Sequence, residues 1–381
     1  MKRIAILSGK RGGYEAMRPL MKMLSKSKKF DLKIILTDQH FEKEFGNTFK
    51  NVYKDFKKKE IISIKFNNTK NDTNLNRTLN LADYSKKFAR KIKILSPDIF
   101  ILYGDRSEVA ASSFVLFSLG IPIIHLQGGD ISGSLDNTYR HVISKFSNIH
   151  LVSNINSKKN LLKMGEENKF IKIVGDHHLD NLKDKELHSK RYILDKYKIK
   201  KKYCILLQHS ETTQPQKSRT QMSATLKALV NFNIEKIVIY PCTDPGWKGI
   251  VQEINLYKKD KSFKIFKNIE GKDFWSLLKY CSFIIGNSSS GIIESPFLKI
   301  PAINIGRRQN KRLKNKNIIS VSHNINEIKK AIDNSLKFEK KILQKIKSFY
   351  GNGDANIKSF KILNDLCKKN IQPVKSFSFE K

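Results

Sequence analysis

Short apolar runs alternate with longer stretches of helical periodicity along almost the whole chain. Twelve of these runs predict β-strands, at 3–8, 31–37, 98–104, 121–127, 149–154, 171–175, 203–209, 236–241, 263–268, 281–287, 301–306 and 317–321. The segments between them predict helices, for example at 76–95, 106–118, 136–147 and 157–164. Strands this apolar, separated by helices, are typical of parallel sheets that helices cover on both faces.

The strand candidates form two series, separated by a polar stretch at 180–200. We therefore predict an α/β protein with two doubly wound domains. The predicted limits are 1–178 for the N-terminal domain and 179–354 for the C-terminal domain, followed by a closing helix and tail at 355–381. A chain of 381 residues is long enough for two separate hydrophobic cores.

Polar clusters follow five of the predicted strands, and this is the edge of a doubly wound sheet where ligands bind. They are "GKRGGYE" (9–15), "GDRSE" (104–108), "QGGD" (127–130), His209 and "GNSSSG" (286–291). We expect all five clusters to face one cleft between the two domains.

Composition excludes several classes of protein. No window approaches the ~20 apolar residues that a membrane span needs. The first apolar run is too short for a signal peptide. The four cysteines are widely separated and form no CxxC pair, so we predict free thiols, no metal site and a cytoplasmic location.

The net charge of +38 raises the question of nucleic-acid binding. The basic residues are spread over the whole chain, and no zinc-finger or helix-turn-helix signature accompanies them. We therefore interpret the charge as compositional bias. Arginine is the more informative cation, because its planar fork binds phosphate and carboxylate in a bidentate way. Half of the arginines fall in the motif segments: Arg11, Arg106, Arg140, Arg307, Arg308 and Arg312.

The stretch "GNSSSG" places Ser288, Ser289 and Ser290 where a strand gives way to a helix. Free amides and hydroxyls at the positive end of a helix favour an anion such as a diphosphate. The alternative is an ordinary serine N-cap. Glu294 is either a ribose ligand or an acid favoured by the helix dipole, and Arg308 is placed to reach the same anion.

The first domain carries an acidic and basic cluster made of Asp105, Arg106, Asp130, Asp136 and Arg140. Asp136 is also a good helix N-cap candidate, with Arg140 one turn further on. In the second domain His209 ends a strand. It is either an acid/base group or a structural histidine.

These motifs resemble the hydrolysing UDP-N-acetylglucosamine 2-epimerases of sialic and legionaminic acid biosynthesis. The resemblance rests on "GDRSE", "HLQGGDISGSLDNTYRHVISKFSNIHLVSN", "YPCTDPG" and "GNSSSGIIESPFLKIPAINIGRRQNKR". It implies two Rossmann-like domains that face each other in the GT-B arrangement. It also implies elimination of UDP across C1–C2 of the sugar to a 2-acetamidoglucal, followed by hydration to the free 2-epimer. This chemistry requires no cofactor and no metal.

The resemblance also implies roles for particular residues. Catalytic roles fall to Asp105, Asp136 and His209, with Asp130 and Gln127 beside them. Substrate-binding roles fall to Arg11, Arg106, Arg140, His125, Ser288, Ser289, Ser290, Glu294 and Arg308. His150 matches a histidine near the active site.

The chain departs from its relatives on the sugar side of the predicted site. Gln127 stands where many relatives have a catalytic glutamate, and Asp130 also replaces a glutamate. Because glutamine cannot take a proton, we expect Gln127 to hydrogen-bond the sugar while Asp105 and Asp136 transfer protons. A further departure, "GDHHLD" (175–180), places His177 and His178 at the crossing between the domains.

Two alternatives stay open beside the epimerase. One is a glycosyltransferase of the same architecture, and the other is a catalytically silent nucleotide-sugar-binding protein. The expected partner is a UDP-linked sugar, with no nucleic acid and no membrane, and we expect a homodimer or homotetramer. The sequence leaves open whether the sugar is N-acetylglucosamine or a 2,4-diacetamido-6-deoxy sugar, and whether the nucleotide is strictly UDP.

Overall fold

The computed structural model describes residues 1–42, 46–65, 73–133, 136–183, 187–242, 244–366 and 371–380. Its strands are β1 (Lys2–Ser8), β2 (Phe30–Leu36), β3 (Ile61–Ser63), β4 (Ile99–Tyr103), β5 (Ile123–Leu126), β6 (Ile149–Val152), β7 (Ile171–Ile173), β8 (Tyr203–Leu207), β9 (Glu235–Ile239), β10 (Phe263–Phe266), β11 (Phe283–Gly286), β12 (Ala302–Ile305) and β13 (Ile318–Val321). Its helices are α1 (Arg11–Lys26), α2 (Phe49–Asp55), α3 (Asn74–Leu95), α4 (Ser107–Ser118), α5 (Asp136–Phe146), α6 (Ile155–Lys163), α7 (Lys190–Lys196), α8 (Ser218–Val230), α9 (Trp247–Asn255), α10 (Gly271–Tyr280), α11 (Ser290–Leu298), α12 (Ile325–Leu336), α13 (Lys340–Gln344) and α14 (Ala355–Leu366).

The chain divides into two compact domains. The first contains 1–131, 136–180 and 353–381, and the second contains 181–352 together with Ser132 and Gly133. The C-terminal helix α14 therefore lies in the first domain. It packs on α1, where Asn356 donates its Nδ2–H to the carbonyl of Ala16 at 3.1 Å.

The first domain is built on a seven-stranded parallel sheet in the order β3-β2-β1-β4-β5-β6-β7. The strands form because their apolar runs are buried on both faces of the sheet. Ile4 of β1 lies beside Leu32 of β2 and Ile99 of β4, and all three side chains are buried. Separate hydrophobic cores fill the two faces of this sheet.

The second domain repeats the design with a six-stranded parallel sheet in the order β10-β9-β8-β11-β12-β13. Ile284 of β11 lies between Ile205 of β8 and Ala302 of β12. Two further cores cover the faces of this sheet. In both sheets the strand order reverses beside the first strand of the domain, which is the usual position of a ligand site in this fold.

The prediction of two doubly wound α/β domains is confirmed, and each of the twelve predicted strands is present. Strand β3, which has three residues of which one is buried, was not predicted. The glycine-rich stretch after β1 opens helix α1 directly. The domain limits and the arrangement of the two domains stay predictions. Within the described residues, no helix combines the length and the apolarity needed to cross a bilayer.

Three buried histidines of the first domain are kept neutral by their surroundings. His40 contacts the hydroxyls of Ser8 and Thr48, both at 2.9 Å. Burial lowers the pKa of His40 to about 4, that of His125 to about 3 and that of His177 to about 4. All three rings therefore enter the folded state without a charge at neutral pH.

We expect the free energy of unfolding to fall as the pH drops from 6.5 towards 4. In this window the unfolded chain binds a proton at each histidine, whose unfolded pKa is about 6.5, while the folded chain does not. The slope approaches about 1.4 kcal/mol per pH unit for each fully shifted group. Urea unfolding followed by circular dichroism measures this slope. Tryptophan fluorescence would not, because both tryptophans, Trp247 and Trp275, lie in the second domain.

The matched variant is His177→Gln, which keeps a donor for the hydroxyl of Ser359. It should reduce the slope by up to about 1.4 kcal/mol per pH unit, the contribution of one fully shifted group. An unfolding free energy that is the same at pH 6.5 and pH 4.5 in the natural protein would show that these rings are not held neutral.

Candidate active site

A buried arginine organises the carboxyl edge of the first sheet. Arg140 projects from α5, is only 2% exposed, and donates from Nη2 to the carboxylate of Asp105, which follows β4. Its Nη1 donates to the carbonyl of Asp130 at 2.9 Å. Arg140 thus joins two loops and orients the Asp105 carboxylate, and its predicted role in substrate binding stays a prediction.

His125 is fully buried and is bonded to protein groups at both ring nitrogens. Its Nε2 lies 2.8 Å from the carbonyl of Gly104, and its Nδ1 lies 3.0 Å from the hydroxyl of Ser144. A carbonyl can only accept, so Nε2 carries the proton and Nδ1 accepts. Through the Gly104 carbonyl His125 supports the turn that carries Asp105, and the substrate-binding role expected of it stays a prediction. His150 is equally buried and lies 3.0 Å from Glu166.

Arg106 lies between two buried carboxylates. Its Nη2 donates to Asp38 at 3.3 Å and its Nε to Glu108 at 3.1 Å. Both carboxylate side chains are 1% exposed, and the arginine side chain is 14% exposed. Arg11 is the first residue of α1, the helix that follows β1. The segments after β1 and β4 thus contribute Arg11 and Arg106, two of the arginines predicted to contact the ligand, and the segment after β2 contributes Asp38.

The turn "QGGD" after β5 is tightly packed. Gln127 adopts a left-handed backbone with φ +66°, which is uncommon for a residue with a side chain. Gly129 has φ +75°, and a Cβ there would lie 2.2 Å from the carbonyl of Ser157. Asp130 is consequently held in a fixed, largely buried position. Asp136 is the first residue of α5 itself.

Gln127 has a partner that the sequence did not reveal. Its Nε2 donates to the carboxylate of Asp176 at 2.5 Å, across 49 positions of the chain. The sequence marks the position of this partner through the unusual motif "GDHH" after β7, but the motif alone does not predict a contact with Gln127. Gln127 was expected to hydrogen-bond the sugar, and that expectation stays a prediction.

In the second domain Asn287 joins the ends of three strands. It accepts from the amide of His209 at 2.6 Å, and its Nδ2 donates to the carbonyl of His209 at 2.9 Å. Its own carbonyl accepts from Arg308 at 3.4 Å and from Gln309 at 3.2 Å. Asn287 therefore fixes the loops after β8, β11 and β12 relative to one another.

The ring of His209 has a defined hydrogen-bonding direction. The amide of Cys242 donates to its Nδ1 at 3.1 Å, so Nδ1 accepts and the proton of the neutral ring lies on Nε2. The thiol of Cys242 donates to Asp244 at 3.2 Å, and Asp244 lies 3.6 Å from Nη2 of Arg308. His209 thus offers an N–H donor, which suits a hydrogen bond to an anion better than removal of a proton.

The serines at the start of α11 differ in their contacts. Ser289 occupies the N-cap position with helical angles, and in the described structure its side chain makes no capping hydrogen bond. The hydroxyl of Ser288 accepts from the amide of Ser290, the first residue of the helix, at 3.3 Å. All three serines are partly exposed. The N-cap alternative and the anion site therefore both stay predictions.

Glu294, further along α11, is 4% exposed. One of its carboxylate oxygens accepts from the indole N–H of Trp275 at 3.3 Å. That contact fixes the carboxylate within the second domain, close in sequence to the serines that precede it.

Together these groups divide the chemistry between the domains. The second domain supplies donors for an anion from α11, Arg308 and His209. The first supplies the carboxylates Asp105 and Asp130, which suit proton transfer. Among the described residues, no group of three or more His, Cys, Asp or Glu side chains is arranged to hold a metal ion.

Solved structures share this two-domain fold. A UDP-N-acetylglucosamine 2-epimerase from Neisseria meningitidis, bound to UDP-GlcNAc, aligns with a TM-score of 0.77 at 18% identity, covering 96% of this chain and all of that one. An enzyme of the same name from Methanocaldococcus jannaschii, in complex with UDP-GlcNAc and UDP, aligns with a TM-score of 0.77 at 22% identity, covering 96% and 100%. At these identities the likeness concerns the fold.

The sequence comparisons identify the family. A family model described as UDP-N-acetylglucosamine 2-epimerase matches residues 22–364. The chain belongs to the UDP-N-acetylglucosamine 2-epimerase family. It is 32% identical over 89% of each chain to a UDP-N-acetylglucosamine 2-epimerase of Neisseria meningitidis serogroup B. It is 30% identical, over 96% of each chain, to a UDP-N,N'-diacetylbacillosamine 2-epimerase (hydrolyzing) of Legionella pneumophila.

Replacing Arg140 by methionine should lower the free energy of unfolding by about 3–5 kcal/mol, because removal of one partner leaves the Asp105 carboxylate without its buried counter-charge. Arg140→Lys keeps the charge and should cost less, since one of the two contacts, to Asp105 or to the Asp130 carbonyl, can be retained. Urea unfolding at pH 7.5 compares the two. Equal stability of Arg140→Met and the natural protein would show that the pair does not organise these loops.

Proposed function

We propose that the protein is a hydrolysing 2-epimerase that converts UDP-N-acetylglucosamine, or a UDP-linked 2,4-diacetamido-6-deoxy sugar, to UDP and the free 2-epimer. The observation that carries the proposal is the Asp105 carboxylate, held in place by buried Arg140. A glycosyltransferase needs no base on the sugar carbon, whereas epimerisation at C2 does. The relative from Legionella pneumophila whose name includes "hydrolyzing" supports the same reaction type.

The first half of the proposed reaction is an elimination. A carboxylate of the first domain takes the C2 proton while the C1–O bond to UDP breaks, which forms a 2-acetamidoglucal. Asp105 and Asp136 are our candidates for this proton transfer, with Asp130 beside them. The C2 proton is weakly acidic, so a positioned base must act as the leaving group departs.

The departing diphosphate needs stabilisation of its charge. Arg308, the N–H at Nε2 of His209 and the start of α11 are donors that would supply it without moving. The His209 ring accepts from the amide of Cys242, and the Arg308 guanidinium contacts the Asn287 carbonyl and Asp244, so both groups are already held in place. The second half is hydration of the glycal, which releases the free sugar.

The test is an incubation with each of the two nucleotide sugars in heavy water containing EDTA. We expect UDP release, deuterium at C2 of the free sugar, and no dependence on an added acceptor. Asp105→Asn should reduce turnover at least ~10²-fold, the lower end of what general base catalysis contributes. Release of UDP only with an acceptor would select a transferase, and binding without turnover of either sugar would select a silent binding protein.

For the nucleotide end we expect Arg308→Lys to weaken UDP binding by about 1–3 kcal/mol, because lysine keeps the charge but loses the planar fork. Isothermal titration calorimetry measures the affinity. Arg307→Lys is the matched control, since that neighbouring side chain is exposed and should stay within about twofold of the natural protein, well under 1 kcal/mol. Unchanged affinity in Arg308→Lys would remove this guanidinium from the UDP site.

A further inference from the structure

A hydrogen-bonded cluster lies at the carboxyl edge of the first sheet, and two of its members, Asp176 and His178, have no part in the reaction as described so far. It consists of Asp176 and His178 after β7, Gln127 after β5, and Tyr103 at the end of β4. The Asp176 carboxylate is 1% exposed. It accepts from Gln127 Nε2 at 2.5 Å, from the amide of His178 at 2.9 Å and from Nδ1 of His178 at 3.2 Å. Three donors therefore converge on one buried carboxylate.

The carboxylate fixes the proton of the neighbouring ring. Burial alone would raise the pKa of Asp176, but the hydrogen bonds from the side chain and amide of His178, together with the charge of that ring when it is protonated, lower the pKa, so Asp176 is ionised. An unprotonated Nδ1 would direct its lone pair at a carboxylate oxygen 3.2 Å away. The proton of the neutral His178 ring is therefore on Nδ1, and its Nε2 has the lone pair.

The other titratable groups around His178 are compatible with this arrangement. The hydroxyl oxygen of Tyr103 lies 3.0 Å from the same Nδ1, where it accepts a share of the N–H. His177 is fully buried against Ser359, and its lowered pKa leaves it neutral. The side chain of His178 is 23% exposed, so water can reach the ring.

The amide at position 127 is required by this cluster. A glutamate there would bring a second carboxylate to within 2.5 Å of Asp176, and one of the two would have to hold a proton. A glutamine in the same place donates a hydrogen bond. Its left-handed backbone, with φ +66°, aims the side chain at Asp176 at some cost in strain, which is a feature of functional sites.

We propose that His178 is the base that activates water in the hydration half of the reaction, with Asp176 and Gln127 as positioning residues. This rests on the proposed function. A carboxyl group of the first domain gives a proton to C2 of the glycal, and the C1=C2 electron pair forms the new C–H bond. The oxygen of water bonds to the electron-poor C1, and its proton passes to Nε2 of His178. The imidazolium is stabilised by Asp176 and then returns the proton to solvent, so one water is added in total.

A purely structural role gives a different expectation. Through the main-chain amide of His178, Asp176 caps the short helix His177–Leu182. That contact survives any change of the His178 side chain. If capping were the whole role, His178→Gln would behave like the natural protein in every step of the reaction.

The experiment measures UDP and the free sugar separately in His178→Gln, with each of the two nucleotide sugars. We expect UDP to be released, the 2-acetamidoglucal to accumulate, and formation of the free sugar to fall at least ~10²-fold. Asp176→Asn should show the same pattern, because an amide no longer holds the proton on Nδ1. His177→Gln is the matched control and should form no excess of glycal. Unchanged proportions of UDP, glycal and free sugar in His178→Gln would overturn the proposal.

A second measurement does not depend on turnover. In the natural protein labelled with nitrogen-15, the ring nitrogens of His178 should show a protonated Nδ1 and an unprotonated Nε2 in the neutral state, and Asp176→Asn should lose this preference. A proton on Nε2 would overturn the proposal even in an active enzyme. If the natural protein releases neither UDP nor sugar, the proposed function and the hydration role both fail, and the ring tautomer alone decides whether the Asp176–His178 pair exists.

Discussion

The first domain depends on keeping one buried positive charge satisfied. A guanidinium that is 2% exposed costs several kcal/mol unless its donors are paired. Arg140 finds partners for its two terminal nitrogens, Nη1 and Nη2, only when the loop after β4 presents the Asp105 carboxylate and the loop after β5 presents the Asp130 carbonyl. Both loops are therefore fixed by the same group. The requirement that stabilises the domain also places two acidic residues side by side at one edge of the sheet.

The supporting residues around this pair carry no charge of their own. His125 bonds to the carbonyl of Gly104 and to Ser144, and burial lowers its pKa to about 3. A neutral ring can be buried beneath Asp105 without adding a second charge to be balanced. The second domain uses the same solution with an amide, because Asn287 fixes His209 and Arg308 through main-chain contacts. In both domains an uncharged side chain, His125 or Asn287, holds a loop that carries a charged or hydrogen-bonding side chain.

The sequence predicts the fold well because its signal is local. Apolar runs of this length mark buried parallel strands wherever they occur, and polar residues after a strand lie at one known edge of the sheet. Strand β3 was not predicted, although it is as short as β7, which the longer apolar run at 171–175 revealed. The position of Asp105, Asp130, His209 and Arg308 at the strand ends follows from the same rule.

The direction in which a side chain points is not local, and here sequence reasoning reached its limit. Arg140 and His125 have the residue types of ligand-binding groups, and the sequence does not reveal that both are buried and contact other elements of the first domain. The contact between Gln127 and Asp176 joins residues that follow β5 and β7, two strands that are separated in the sheet by β6. Only the folded sheet shows that these two residues face each other across β6.

That contact also changes how the glutamine at position 127 is understood. Considered alone, an amide in place of a carboxylate removes a charge and a proton-transfer group from the first domain. Considered with Asp176, the carboxylate is still present at the same edge of the sheet, on a different strand, and the amide is its hydrogen-bond donor. A buried carboxylate that accepts from an amide and an imidazole stays ionised, whereas two facing carboxylates would share a proton. The amide at position 127 and the carboxylate at position 176 therefore act as one hydrogen-bonded unit.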